Sequence, residues 1–554
     1  MKKKKLALLS LVGGVLTLVS FTVSENYFEI SKNLDIFANL YKQLNIYYVD
    51  DTNPGELMKT GIDAMLKSLD PYTVYYPESE IEDYRFLTTG EYGGVGSLIR
   101  KIGDNVVVAE PYEGFPAHKA GLMAGDVILK IGDQNVAGKN TNDISKLLKG
   151  QAKTNVELVI QRGDEKLQKS LVRETIKIED VPYFGMVSEG IGYIKLTGFT
   201  ETASKELKDA LRDLTKDKKL KGLILDLRGN GGGLLNESVN IVNMFVDQGQ
   251  EVVHTKGKLK EWDRSHRALS QPIERDLPLA ILIDEGSASA SEIVSGAIQD
   301  LDRGVLIGER TFGKGLVQQT KPLSYNSQLK VTVAKYYIPS GRCIQELDYA
   351  HKENGRAQET PDSLLKTFYT KGGRPVKDGR GISPDLKVEL PDGAEITGAL
   401  IVKNHIFNYA TEYRRAHDSL GVAKAADFKL SDEDYNDFVG YLKGKDYDYT
   451  TQSEKLLEDF KKVSMEEKYF ENVKDQYTEL KEKISHNKAS DLMTNKEEIK
   501  EILENEIVSR YYFQTGRIEN SLSKDPRVKK AIEVLSDRNQ YDKILAKKET
   551  NAKK

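Results

Sequence analysis

The sequence predicts a multidomain protein with an α/β core, a small β-rich domain ahead of it and helical segments at both ends. Three observations predict this. Between Ile191 and Tyr337, apolar runs that stop at small residues alternate with helical stretches, the pattern of strands feeding helices in a largely parallel sheet. Short strand-like runs separated by glycine-containing turns fill residues 90–175. Beyond Ala399 glycine thins out and opposite charges recur four apart, as at Glu458 and Lys462. A chain of 554 residues has room for about three or four domains. With 30% charged and 39% hydrophobic residues it reads as a soluble globular protein, and a net charge of −4 gives no sign of nucleic-acid binding.

Taken in order, Lys2 to Lys5 precede an uncharged, mostly apolar run from Leu6 to Val23, the outline of an export signal. The run is long for a signal core and short for a spanning helix, so over 1–24 a cleaved signal and an uncleaved anchor both stay open. Either way the remainder is expected to be exported, to the periplasm or held at the inner membrane. Residues 25–89 form a helical segment: Leu34, Phe37, Leu40, Tyr41 and Leu44 recur at helical spacing over Ser31 to Val49, and a second helix runs from about Leu57 to Leu69. Residues 90–175 open on Gly90 to Gly96, with strands at 106–108, 127–131 and 156–160 and a helix near Ile144 to Leu148. Arg173 to Val181 reads as a linker.

The core, 176–398, is expected to carry strands at Ile191–Leu196, Leu223–Leu227, Leu279–Ile283, Val305–Ile307 and Leu329–Tyr337, with a helix at Ala203–Leu214. The polar insertion 351–380 reads as a surface loop. Residues 399–554 read as bundled helices without chemistry of their own.

The chemistry concentrates between Lys221 and Gln319. A strand-like run ends in Asp226-Leu227-Arg228 and a glycine loop, Gly229-Asn230-Gly231-Gly232-Gly233. A second ends in Gly286-Ser287-Ala288-Ser289-Ala290-Ser291-Glu292, and a third in Gly308-Glu309-Arg310-Thr311-Phe312-Gly313-Lys314-Gly315-Leu316-Val317-Gln318. A serine hydroxyl, a lysine amine and open backbone N–H groups are the parts of a Ser–Lys hydrolase. Each has a plainer reading. The three serines suit a helix start, the glycine loop a turn, and most lysines are solvated. Three other chemistries are weaker. The seven histidines hold no pair at the spacing of a helical zinc motif, and the lone Cys343 has no nearby histidine and excludes an intrachain disulfide. Gly308-x-x-x-x-Gly313-Lys314 approaches a phosphate-binding loop, but Gly315 stands where that loop needs Ser or Thr.

These three motifs, in this order and spacing, resemble the carboxy-terminal processing proteases, PDZ-containing serine peptidases, over about Leu34 to Leu390. The resemblance implies a ClpP/crotonase-like core, and it places the nucleophile on Ser289, the base on Lys314 and a lysine-orienting amide on Gln318 rather than Gln319. A serine at a helix start can use the next N–H, Ala290, as one oxyanion donor, with the second expected from Gly232 or Gly233. Ala120-Gly121-Leu122, Gly125-Asp126-Val127-Ile128 and Ile131-Gly132 resemble a PDZ domain. In such a domain a peptide adds as a strand, its carboxylate caught by backbone N–H groups, here those of Gly94, Val95 and Gly96. The expected partners are protein or peptide substrates with apolar C-termini. An adaptor protein and self-association stay open, and no nucleic acid, cofactor or metal is implied. The alternative to an endopeptidase is a silent PDZ scaffold that binds tails and cuts nothing.

Overall fold

The computed structural model describes residues 27–216, 220–353 and 355–546; the export signal expected over 1–24 lies outside them. The chain divides into two compact units, one joining the N-terminal region through Ile81 to Gln318–Thr332, the other holding Glu82–Val317 and Val333 onward.

In the first unit, residues 27–47 are helical. Asn53 caps a second helix, Pro54–Lys67, by accepting from the Gly55 and Glu56 N–H groups. Tyr41 donates to the Pro54 carbonyl at 2.7 Å and holds the helical pair together. A short strand, Val74–Tyr76, pairs antiparallel with Gln328–Lys330. The apolar residues that signalled the first helix stay open: Leu34, Phe37, Leu40 and Leu44 are all exposed. Among the described residues no helix is long and apolar enough to cross a membrane.

The second unit begins with a sheet of antiparallel strands in the order Ser97–Ile102, Asn105–Pro111, Val127–Ile131, Asn155–Arg162, Glu165–Val172, with Gln134–Asn135 beside the third. Alternate residues point inward, so Val156, Leu158 and Ile160 join Val106, Val108, Ile128, Ile144 and Leu148 in one core. The helix Thr141–Leu148 packs along the edge strand Ser97–Ile102. Part of the expected linker is a strand instead: Glu174–Lys177 pairs with Glu91–Gly94 and ties the entry of this domain to its exit.

The central sheet runs in the order Tyr183–Ser188, Ile191–Lys195, Gly222–Asp226, Leu279–Ile283, Val305–Gly308, Leu386–Lys387. The first pair is antiparallel and the rest are parallel. Its central strands are buried along their whole length, as strands covered on both faces must be. Leu223, Leu225, Leu279 and Ile281 face the helices Ala203–Lys216, Leu235–Asn243 and Ala290–Asp300. Ile224, Ala280, Leu282, Val305 and Ile307 face Val528, Ala531, Val534, Leu535 and Tyr541. The last two helices among the described residues, Pro526–Ser536 and Arg538–Leu545, thus cover the second face of the sheet.

Three expectations change. The strand Gln328–Tyr337 is not in the parallel sheet; its second half, Ala334–Tyr337, pairs antiparallel with Glu251–Gly257, which also pairs with Arg264–Arg267. That strand is only half-buried, unlike the parallel strands, and an apolar run does not reveal its partner. The insertion 351–380 is not one loop. It contributes to two small hairpins, Leu347–Glu353 with Arg356–Glu359 and Thr367–Tyr369 with Pro375–Lys377. The buried Arg374 anchors the second by ion pairs to Asp302 and Asp385. The C-terminal region also does not act as one bundle. Glu395–Val402, His405–Ala416, Asp432–Tyr441 and Lys496–Leu522 share a separate core around Leu400, Ile406, Phe438, Leu503 and Ile507, while the final two helices belong to the sheet.

Candidate active site

The site forms where three parallel strands end. Strand Gly222–Asp226 leads into the glycine loop, Leu279–Ile283 into the serine run, and Val305–Gly308 into the lysine loop. Reactive groups at the carboxyl ends of parallel strands are what an open α/β sheet provides. Asp284 holds the first two loops together by accepting from the Gly229 N–H at 2.8 Å and the Gly286 N–H at 3.0 Å. Asn230 is the second tie. Its carbonyl accepts from the Ala288 N–H at 3.0 Å and the Ser291 hydroxyl at 2.8 Å, and its amide donates to the Leu196 carbonyl at 2.9 Å.

The three alternating serines separate by environment. Ser287 is buried and its hydroxyl donates to the Leu227 carbonyl at 2.9 Å. Ser291 is buried and donates to Asn230. Ser289 alone remains partly accessible. It sits at φ 56°, ψ −110° just ahead of the helix Ala290–Asp300. A side chain rarely adopts that conformation, and a serine held on such a turn between strand and helix is the arrangement of a nucleophile elbow. The Ala290 N–H belongs to the first helical turn and has no intrahelical acceptor.

Glu292 connects the nucleophile to the lysine. One carboxylate oxygen accepts from the Ser289 N–H at 2.8 Å and the Lys314 N–H at 2.9 Å; the other accepts from the Thr311 hydroxyl at 2.6 Å and the Gly313 N–H at 2.8 Å. Burial pushes this carboxyl up to about 7, against the pull of the four hydrogen bonds. Tyr336 adds a second bridge, its hydroxyl donating to the carbonyls of Ser289, at 3.1 Å, and Lys314. Lys314 is half-buried between Gly313 and Gly315. Gln318 lies in the smaller unit, where its amide donates to the Thr332 hydroxyl at 3.3 Å.

The glycine loop approaches as closely as chemistry allows. A Cβ on Gly232 would lie 2.8 Å from the Ala290 nitrogen and 2.9 Å from the Ser289 Cβ, and φ is 95° there, so only glycine fits. Its N–H is engaged, donating to Asn230 Oδ1 at 2.9 Å, so the oxyanion role expected of Gly232 requires that peptide to leave Asn230. Gly233 is held against Phe199, where a Cβ would meet the Phe199 carbonyl at 2.5 Å. Glu292, Asn230 and Tyr336 were not singled out from the sequence as site residues. Glu292 had a signal: Ser289-x-x-Glu292 is the spacing of a capping box. Asn230 stands within the glycine-loop run, where its side chain accepts from the Gly232 N–H two residues on; Tyr336 acts through distant backbone groups and no local pattern marks it.

Beneath the strand ends, Asp226 is fully buried. Burial alone would raise its carboxyl, but Arg228 and Lys195 hold it well below the usual carboxylate range. Tyr193 donates to it at 2.6 Å.

Two rival readings lose their context. The Gly308–Lys314 run is followed by a strand, Leu316–Pro322, whereas a phosphate-binding loop opens a helix. Burial pushes the Cys343 thiol up, away from the thiolate that a nucleophilic cysteine needs.

In the β-rich domain, Gly94, Val95 and Gly96 are buried. Gly94 pairs opposite Glu174. The carbonyls of Val95 and Gly96 accept from the Ala117 N–H at 2.8 Å and the Tyr112 N–H at 2.9 Å, fixing the turn into the edge strand.

The fold and this site are those of a PDZ-containing serine peptidase. The model of peptidase family S41 matches residues 190–350, that of a PDZ domain 107–162, and that of a probable PDZ-protease C-terminal helical domain 396–535. The chain is 38% identical over 319 residues to a carboxy-terminal-processing protease of Bartonella bacilliformis, 57% of this chain and 73% of that protein. It is 36% identical over 342 residues to a probable CtpA-like serine protease of Staphylococcus aureus, 60% and 68% of the two chains. A solved photosystem II D1 C-terminal processing protease is 31% identical, covering 64% of this chain and 92% of that one with a TM-score of 0.35. The chain belongs to the carboxy-terminal processing proteases of peptidase family S41.

Proposed function

We propose that this protein is an exported endopeptidase that recruits proteins by their C-terminal tails and cleaves them with a Ser289–Lys314 dyad. The observation that carries the dyad is the sorting of the three serines: Ser287 and Ser291 spend their hydroxyls inside the fold, and only Ser289 is left accessible on a strained turn. Lys314, neutral, takes the proton from Ser289 Oγ as the oxygen attacks the scissile carbonyl. The Ala290 N–H receives the developing oxyanion, with a second donor from the Gly232–Gly233 backbone. The proton passes from Lys314 to the leaving amine, and an acyl-enzyme remains. Water, deprotonated by the same lysine, then releases it.

Recruitment rests on the PDZ sheet. Its edge strand, Ser97–Ile102, has an unpaired side among the described residues and runs beside the helix Thr141–Leu148, the setting for adding a peptide strand. The turn at Gly94, Val95 and Gly96 stands at the start of that strand, where a terminal carboxylate would be held. Export rests on the basic and apolar start of the sequence.

The test is cleavage of paired substrates by the full-length enzyme. A chain with an apolar C-terminus should be cut with higher kcat/KM than the same chain ending in Asp-Asp or a carboxamide, and Ser289→Ala should bind the first without cutting it. Equal rates on all three tails would remove tail recognition; undiminished cleavage by Ser289→Ala would remove the dyad. Fractionation of the native host should find the protein outside the cytoplasm, and a cytoplasmic pool alone would refute export.

A further inference from the structure

The helix that covers the second face of the sheet also reaches the roots of two catalytic loops. Asp525 caps this helix, Pro526–Ser536, with one oxygen, Oδ1, which accepts from the Arg527 N–H at 2.8 Å and the Val528 N–H at 3.2 Å. Its other oxygen accepts from Arg228 Nη1 at 2.6 Å. Arg228 is the last residue before the glycine loop. The rest of its guanidinium grips Asp226, with Nη2 at 2.7 Å, and its carbonyl accepts from Lys195 at 2.7 Å. Two residues along, the buried Arg527 donates to the Val388 carbonyl at 3.0 Å and pairs with Glu309. Glu309 directly follows the strand Val305–Gly308 and opens the loop that carries Lys314.

These contacts are placed on either side of the serine. The strand ending before Arg228 and the strand ending before Glu309 flank Leu279–Ile283, the strand that leads to Ser289. We propose that the start of Pro526–Ser536 is a positioning element for catalysis: Asp525 holds the root of the glycine loop through Arg228, and Arg527 holds the root of the lysine loop through Glu309, setting both loops against Ser289. The C-terminal region therefore contributes to the reaction without touching substrate. Glu309, partly exposed at one end of the clamp, is where a small change separates positioning from folding.

This inference rests on the Ser289–Lys314 reading, and the test keeps the two apart. Asp525→Asn retains a good helix cap and loses the charge on Arg228. Glu309→Gln neutralises the other end at a partly exposed site. In the full-length enzyme each should lower kcat by on the order of 10–100-fold with KM within about twofold, since a small displacement of catalytic groups costs that much. The rate of covalent inactivation by diisopropyl fluorophosphate should fall in parallel, because it reads the nucleophile and oxyanion donors without tail binding. Thermal unfolding of Glu309→Gln should match the wild type, so it carries the test if Asp525→Asn folds poorly. Folded variants that cut and are inactivated at wild-type rates, alongside an inert Ser289→Ala, would overturn the clamp alone. A Ser289→Ala protein that still cuts would overturn the site reading and the clamp with it.

Discussion

Glu292 meets four donors, three backbone N–H groups and the Thr311 hydroxyl. A protonated carboxyl can donate only to the Thr311 hydroxyl and accepts more weakly from the backbone N–H groups than a carboxylate does, so the bridge between Ser289 and Lys314 is strongest when Glu292 is ionised. Its carboxyl is pushed from 4.5 up to about 7, so acidification below neutrality should weaken the site. The sign for stability is opposite. A raised carboxyl pKa contributes stability that is fully present below about 4.5 and is lost as pH rises through about 7. Between pH 5 and 7, kcat should therefore fall on acidification while this group's contribution to stability rises. A kcat profile beside thermal unfolding over the same buffers checks this; parallel loss of both would mean that unfolding sets the acid limb. Glu292→Gln places an amide N–H₂ against two of the same donors and should cost about 100-fold or more in kcat, read by steady-state assay. Lys314→Arg should fold and be inactive, because a guanidinium stays protonated at working pH; near-normal cleavage by that variant would refute the lysine base.

At the scale of elements, the site is three loops held together by buried polar ties rather than by apolar packing. Asn230→Ala removes the bonds to the Leu196 carbonyl and the Gly232 N–H. It should cost about 1–3 kcal/mol and lower kcat further than stability alone explains, as measured by denaturant titration and a folded-fraction-corrected assay. This is also the scale at which the sequence is only half legible. Ser289, Lys314 and the glycine loop lie in contiguous runs, each ending a strand, so strand pattern and motif spacing suffice to find them. Tyr336 does its work through backbone atoms of residues far off in the chain, which no local pattern encodes, and so does the Asn230 amide toward Leu196, although Asn230 itself lies in the glycine-loop run. The strand Gln328–Tyr337 is legible as a strand, but its partners, Val74–Tyr76 and Glu251–Gly257, are set by tertiary pairing. The N-terminal helix shows the reverse case, where an apolar face legible at helical spacing remains exposed.

Across the larger unit, the central sheet carries a separate hydrophobic core on each face. The helices between strands cover one face, and residues more than a hundred positions beyond the last central strand cover the other. Helical periodicity after Ala399 announces helices, but a period says nothing about which of them return to the sheet. Leu535 packs against Gly222 from that returning helix. Leu535→Ala should cost about 2–5 kcal/mol and lower the thermal midpoint of the sheet. Loss of less than about 0.5 kcal/mol would show that this face is covered some other way.

The central claim is that Ser289 is the nucleophile and Lys314 its base, and covalent labelling tests it most directly. The wild-type enzyme is treated with a fluorophosphonate probe, digested and mapped by mass spectrometry, beside Ser289→Ala and a folded Lys314→Met. The account predicts a single adduct on Ser289, absent from Ser289→Ala and strongly slowed in Lys314→Met. An adduct on Ser287, Ser291 or any other residue that accompanies loss of activity, or labelling of Lys314→Met at the wild-type rate, would contradict it.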